Sequence, residues 1–338
     1  MERIAFIIGH TYLYWSSIIL LLAGMAAVCL FLSLYLRKKK RMLSGLVAVI
    51  LAAIMSFVLS RLAYWYFRPD SYESMEAALD WIQPGGAALM GVFAGCFLAA
   101  VSLWLFQLEE DLPDLLDCMS IALCFGIGLG QLSSFFNNAG RGMTVGIGWG
   151  LPWAVSTLNP VSGAMEHRLA SFLIQAMAAG VLFLVLLVFY LVGKGKRGDT
   201  TLLFLLVYGA SQVVLDSTRY DSLYLRSNGF VSAVQVLGAA GILLAALVFA
   251  VRLVRAGGWK KWQALLWLGQ AACLGLAGYM EYHVQRHGNQ ALFAYSAMSG
   301  ALAGVIILIL ATRYLAGVEH RRHQAWLAQL AATEQEDP

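Results

Sequence analysis

Few residues of this chain can do chemistry, and those few fall at helical spacings. Gln131, Ser134 and Asn138 follow one another at steps of three and four, so a helix carries them along one face. Asn137 and Arg141 lie at the outer end of the same segment. Tyr208, Gln212 and Asp216 lie at i, i+4 and i+8, a single polar stripe in an otherwise apolar stretch. A lone amide in such a setting is usually a hydrogen bond between helices. Three in register on each of two segments point to a shared polar cavity, which Gln175 and Gln235 can join, while Gln270 reads as interhelical glue. Arg61, in SRLAYWYF, sits about two turns before the end of its segment; it either snorkels to the surface or reaches a pocket. Amides and hydroxyls can hold an ester carbonyl or a hydroxyl, and arginine can hold a phosphate through paired donors.

The histidines set a limit on catalysis. His10, His167, His283, His287, His320 and His323 all fall at segment ends or in loops, so no histidine base is buried among the apolar segments. Glu281, His283 and His287 have a spacing able to hold a metal, but they form a short loop with no fourth ligand and read as solvated surface. The five cysteines, Cys29, Cys96, Cys118, Cys124 and Cys273, stand singly, in neither a disulfide framework nor a zinc pattern. The Gly146–Gly150 run follows no predicted strand and does not read as a dinucleotide site. No metal and no cofactor are expected.

The elements that carry these residues are membrane spans. Sixty per cent of the 338 residues are hydrophobic and 12% charged, against roughly 45–50% and about 25% in soluble domains. The excess forms blocks of about 20 residues, the length that crosses a hydrocarbon core roughly 30 Å thick. They read as 14–36, 43–67, 85–107, 115–136, 169–193, 200–217, 230–251, 263–280 and 294–315. The first is followed, not preceded, by the basic run at 37–41, so it is a span rather than a cleavable signal. With the N-terminus outside, the segments left inside hold fifteen of the 23 Lys and Arg, as the positive-inside rule requires. The net charge of +4 reflects that bias and not a nucleic-acid partner; the 37–41 run can also attract anionic lipid heads. Residues 68–84 are expected to form a short interfacial helix, 137–168 an extracytoplasmic cap containing Trp149 and Trp153, and 316–332 a weakly amphipathic segment on the inner leaflet. Gly85, Gly86, Gly91, Gly95, Gly126, Gly128 and Gly130 serve either close helix packing or a glycine-lined lipid path.

In order and spacing, these pieces resemble the prolipoprotein diacylglyceryl transferase family over about residues 12–250. SRLAYWYF is similar to its Arg-Leu-Gly-Tyr segment, which carries Arg61 and Tyr64 across. PGGAALMGVFAG is similar to its Gly-Gly-Met-Ser-Phe-His-Gly-Gly segment. LPDLLDCMSIALCFGIGLGQLSSFFNNAG resembles the helix leading into its Gly-Arg-x-Gly-Asn-Phe-x-Asn-Gly-Glu signature, with Leu115, Leu116, Asp117, Gly130, Phe135 and Asn137 in agreement. LPWAV at 151–155 is similar to its Leu-Pro-Trp-Gly-Val, His167 falls where its His-Pro-x-x-Leu-Tyr-Glu begins, and YGASQVVLD resembles its Tyr-Gly-x-x-Arg-Phe-x-x-Glu helix, keeping Tyr208 and Gly209 with Asp216 as the acid. The departures fall at the chemistry: the family histidine corresponds to Met90, the signature arginine to Gln131, the signature Asn and Glu to Ser134 and Ala139, and the later arginine to Gln212.

The resemblance implies an all-α, polytopic helix bundle of about nine spans in a bacterial plasma membrane, multi-pass, with the C-terminus cytoplasmic. Residues 1–255 form a transferase-like core, 256–316 two added helices and 317–338 a tail. It implies transfer of a diacylglyceryl group from a phospholipid such as phosphatidylglycerol to an acceptor such as a lipoprotein cysteine. Arg61, Tyr64, Gln131, Ser134, Asn137, Arg141, Tyr208, Gln212 and Asp216 would bind substrate; no catalytic residue is assigned. Losing fixed charge at Gln131 and Gln212 weakens stabilisation of a departing phosphate. The alternatives are therefore an inactive relative that binds lipid or lipoprotein and, without support from any inverted repeat, a transporter.

Overall fold

The structure, a computed structural model, describes residues 4–8, 11–38, 41–80, 86–137, 139–146, 150–158, 163–193, 195–225, 231–286 and 291–336. His10, Lys39, Lys40, Gly85, Asn138, Trp149 and His287 lie outside the described residues. The chain opens with a hairpin, β1 (Ile4–Ile8) and β2 (Thr11–Tyr14), then α1 (Trp15–Arg37) and α2 (Met42–Phe67). After α3 (Met75–Leu79) come α4 (Leu89–Leu105) and α5 (Leu112–Gln131). A second antiparallel hairpin follows, β3 (Ala154–Leu158) and β4 (Met165–Leu169). The remainder is helical: α6 (Ser171–Val192), α7 (Asp199–Ser217), α8 (Ala233–Gly257), α9 (Lys261–Arg286) and α10 (Ala291–Glu336). The protein is an all-α polytopic membrane bundle, its two small hairpins apart.

Among the described residues, seven helices are long and apolar enough to span a bilayer, and α4 is a shorter apolar helix beside them; about nine spans were expected. α4 is apolar but only 17 residues long, since residues 86–88 stay extended and Ala88 N–H donates to Ser60 O at 3.0 Å. α9 has the length but buries Gln263, Gln270 and Glu281 along it. α10 runs unbroken for 46 residues, straight through the 316–332 segment. At 1.5 Å per residue that is roughly 70 Å, far beyond one hydrocarbon thickness. A short helix does form within 68–84: α3, capped by Ser74 Oγ, which accepts from Ala77 N at 3.1 Å.

The chain divides into two compact units: Met1–Phe204 with Ser211–Leu237, and Leu205–Ala210 with the stretch from Gly238 onward. In the first, small residues set the helix contacts. A Cβ on Gly91 would come within 2.3 Å of Leu59 O, and one on Gly95 within 2.4 Å of Ser56 N. α2 and α4 therefore touch backbone to backbone, which is the packing reading of these glycines. Gly126 lies against Ala27 of α1 and Gly128 faces Ala179 of α6, so α5 is sandwiched between them and buries half of its residues.

The end of α5 away from the hairpin β3–β4 fixes α7. Asp117 is buried and accepts from Gly198 N, Thr201 N and Thr201 Oγ1, each at 2.8 Å. The carboxylate thus satisfies donors that the first turn of α7 would leave open. Around it Lys38 pairs with Asp114, Arg197 with Asp111 at 2.7 Å, and Tyr35 Oη donates to Glu109 Oε2 at 2.5 Å.

In the second unit, Gly209 and Gly238 meet closely; a Cβ on either would fall within 2.7 Å of the other's carbonyl oxygen. α9 and α10 pair as a hairpin of helices, with Gln270 Nε2 donating to Thr312 Oγ1 at 3.1 Å and Lys260 bridging Glu319 at 2.7 Å. Gln270 is interhelical, as expected.

Candidate functional site

The polar residues of interest gather at the end of the first unit that carries β3–β4, the cap end. Arg61, four residues after Phe57 on α2, is buried. Its Nη1 donates to Tyr72 Oη and its Nη2 to Asp80 O at 3.3 Å. The rings of Phe57 and Tyr72 lie 5.7 and 5.5 Å from the guanidinium. Tyr72 Oη in turn donates to Gly86 O at 2.8 Å. Arg61 therefore turns inward and fastens the connection that follows α2. Tyr64 covers Gly86: a Cβ there would stand 2.1 Å from the Tyr64 ring, so a larger residue would have to displace that ring.

α5 ends at Gln131 and tightens into a 3-10 turn at Leu132–Phe135. That change of pitch moves the following residues off the extrapolated α-helical face. Gln131 is half-buried, Ser134 is buried and Asn137 is half-buried. Asn137 Oδ1 accepts from Ala139 N at 2.9 Å and its carbonyl accepts from Arg141 Nη2 at 3.3 Å. The chain then crosses above α6. Gly140, at φ +68°, would place a Cβ 3.0 Å from that of Phe172, and its carbonyl accepts from Phe172 N at 2.9 Å. Both the left-handed backbone and the close approach demand glycine. Arg141 is buried and also donates to Ser156 O of β3 at 3.4 Å.

Across α6, Gln175 and Gln212 are deeply buried and meet, Gln175 Nε2 donating to Gln212 Oε1 at 3.5 Å. The described partner of Gln212 is thus Gln175 and not Gln131. One turn further on, Asp216 is buried and its carbonyl accepts from Ser222 Oγ at 2.8 Å. Gln235 Nε2 donates to Val213 O at 3.2 Å, which ties the start of α8 to this stripe. Gln175 Oε1 and Asp216 Oδ2 are buried without a hydrogen-bond partner. Tyr208 is buried one turn before Gln212 on α7, in the stretch that belongs to the second unit.

One residue that spacing did not reveal organises the cap. Asp221 accepts from Gly140 N at 2.9 Å and from Arg219 Nε and Nη2 at 2.9 and 3.1 Å. Its carbonyl accepts from Arg68 Nη2 at 2.9 Å. Burial alone would raise its pKa; the hydrogen bond and charge of Arg219 and the Gly140 amide outweigh that, and the pKa lies below the usual carboxylate value. Asp221 sits in a loop with no periodicity, so no sequence signal marked it. Tyr72, the partner of Arg61, was equally silent. His167 faces Ser156 Oγ at 3.4 Å on the β3–β4 ladder. Among the described residues no cluster of three metal-ligating side chains occurs.

The arrangement offers amide and carboxylate acceptors, tyrosine hydroxyls and two buried guanidiniums, a set suited to a polyol or ester head. The model of the prolipoprotein diacylglyceryl transferase family matches residues 3–251. Proteins named phosphatidylglycerol–prolipoprotein diacylglyceryl transferase are similar to this chain. That of Finegoldia magna is 26% identical over 251 residues, covering 72% of this chain and 94% of its own length. That of Synechocystis is 28% identical over 208 residues, covering 58% and 71%. That of Thermotoga maritima is 25% identical over 255 residues, covering 72% and 82%. With the family's model matching residues 3–251, the greater part of its length, the chain belongs to the prolipoprotein diacylglyceryl transferase family.

Proposed function

We propose that this protein acts on a phospholipid such as phosphatidylglycerol, transferring its diacylglyceryl group to an acceptor such as a lipoprotein cysteine. In that reaction a sulfur–carbon bond forms at the glyceryl carbon while the carbon–oxygen bond to phosphate breaks. Glycerol phosphate leaves with the electron pair, and the thiol proton passes to a base. The observation that carries the reading is the buried polar line Gln175, Gln212 and Asp216 on α6 and α7, where Gln175 Oε1 and Asp216 Oδ2 have no protein donor. Gln131, Asn137, Tyr208 and Gln212 would position the glyceryl ester, and Arg61 and Arg141 the head group, with Tyr64, Ser134 and Asp216 around them. In this reading residues 1–255 are the working core, 256–316 two added helices and 317–338 a tail. The protein lies in the plasma membrane with its N-terminus outside and its C-terminus cytoplasmic.

A second reading has its own support. Where the family keeps positively charged or titratable groups, this chain has Met90, Gln131 and Gln212, and Gln212 is occupied by another amide. Neutral amides cannot match the charge that develops on a departing phosphate, which favours a relative that binds the lipid or lipoprotein and regulates without transfer.

Rescue of diacylglyceryl modification in cells depleted of the authentic enzyme separates the two. Rescue that disappears with Arg61→Ala or Tyr208→Phe supports the transferase. Normal expression and co-purified phosphatidylglycerol without rescue would reject transfer and leave the binder.

A further inference from the structure

The hairpin β1–β2 has no part in the site described above, and its side chains are unusual for a surface ribbon. Phe6 pairs with Leu13 and Ile7 with Tyr12. Successive strand residues point to opposite faces, so Phe6 and Leu13 line one side and Ile7 and Tyr12 the other. All four are exposed, at 56, 37, 64 and 55%. Ile4 and Tyr14 are exposed as well. The other hairpin is more polar: β3 sets Val155, Ser156 and Thr157 opposite Arg168, His167 and Glu166, and only its last pair, Leu158 with Met165, exposes two apolar side chains. A two-stranded ribbon is marginal in water even with one face covered, and apolar strands with open edges invite aggregation. Here neither described face is polar.

We propose that β1–β2 is a shallow membrane anchor, lying at the interface of the leaflet on the cap side with both faces against lipid. Three observations fix this occupant. β2 passes directly into α1, whose exposed Leu20, Leu21 and Leu22 begin a membrane-facing surface, so hairpin and span present one continuous apolar face. Tyr12, Tyr14 and Trp15 combine apolar rings with polar tips, the composition of the aromatic belt at bilayer boundaries. The outer edges of a two-stranded ribbon leave backbone groups that need water, and hydrocarbon supplies none. That excludes deeper insertion and sets the depth at the head groups and first acyl carbons. The side is set by Trp15, whose ring lies 6.1 Å from Phe6 and 6.2 Å from Phe136, next to Asn137.

The test is spin-label accessibility in the full-length protein, with the exposed Cys29 replaced by serine. Single nitroxides are placed at Ile7, Leu13 and, as the aqueous reference, Ser156, in vesicles of phosphatidylcholine and phosphatidylglycerol. Labels at Ile7 and Leu13 should show strong oxygen collision and several-fold lower access to a water-soluble nickel chelate than Ser156. Nickel access at either position equal to that at Ser156 would overturn the anchor. All three sites are exposed, so labelling leaves the core intact. A Phe6 and Tyr12 pair of labels repeats the reading from each face should one of the first variants fold poorly.

Discussion

Both ends of the first unit bury polar side chains, but they leave them in different states. At the Lys38 end Asp117 uses both carboxylate oxygens, taking two backbone amides and a hydroxyl at 2.8 Å. At the cap end Gln175 Oε1 and Asp216 Oδ2 are as deeply buried and have no partner. A saturated buried network holds structure together. A buried acceptor without a protein donor is costly to leave so, and a ligand hydroxyl or amide can supply the donor. The comparison separates the polar groups that build this fold from those available to a substrate.

Its strongest test is Asp117→Ala. Three donors at the start of α7 would lose their acceptor in a buried setting, a cost of about 4 kcal/mol. The Asn variant keeps an acceptor oxygen and should cost about half as much. Thermal denaturation in detergent measures both. An Ala variant that melts with the parent protein would mean the Asp117 network is not structural, and the comparison would fail at its firmer end.

The cap contains its own saturated carboxylate, which makes a pH-dependent prediction. The folded pKa of Asp221 is depressed, so its contribution is present above the unfolded value, about 4, and is lost as pH falls through the folded value. Asp221→Asn should destabilise the cap by about 2 kcal/mol at neutral pH, with the gap to the parent narrowing in acid. Protease susceptibility of the β3–β4 region across that range is the measurement. A gap that stays constant into acid would remove Arg219–Asp221 as the clasp.

Much of this was legible in the sequence, for reasons that particular residues make plain. Membrane spans are read from composition over 20 residues, and α1, α2, α6, α7 and α8 emerged close to their observed limits. Gly86, Gly91 and Gly95 were singled out, and a larger residue at any of them would have to displace the Tyr64 ring or the α2 backbone. The stripe on α7 was visible because period 3.6 holds throughout that helix. Past Gln131 the 3-10 turn alters the pitch, and Asn138, the last member of the α5 stripe, lies outside the described residues. Both hairpins went unseen: β1–β2 is apolar on both faces and has no alternation to detect. Asp221 and Tyr72 act through contacts across loops, which spacing does not encode. The length of α10 escaped notice because a change of polarity along a helix does not end it.

The open end of the comparison is tested by Gln175→Leu. Leucine is close in shape and removes an amide that is only partly satisfied, so stability should change by less than about 1 kcal/mol. Phosphatidylglycerol retained through purification, assayed by lipid extraction and mass spectrometry, should fall several-fold. Retention at the parent level with unchanged stability would mean the open acceptors do not meet a lipid.

The smallest effect is expected at Arg197, which pairs with Asp111 beside the saturated Asp117 network but is 69% exposed. Exposed pairs gain little over water, since two long side chains are held in place for a screened attraction. Arg197→Gln should therefore shift stability by about 0.5 kcal/mol or less, with salt erasing even that. The measurement is the melting temperature of parent and variant at low and high ionic strength. A loss of several kcal/mol that persists in high salt would place Arg197 inside the buried network, so that saturation at the Lys38 end extends to the surface and the contrast with the cap end is broader than Asp117 alone.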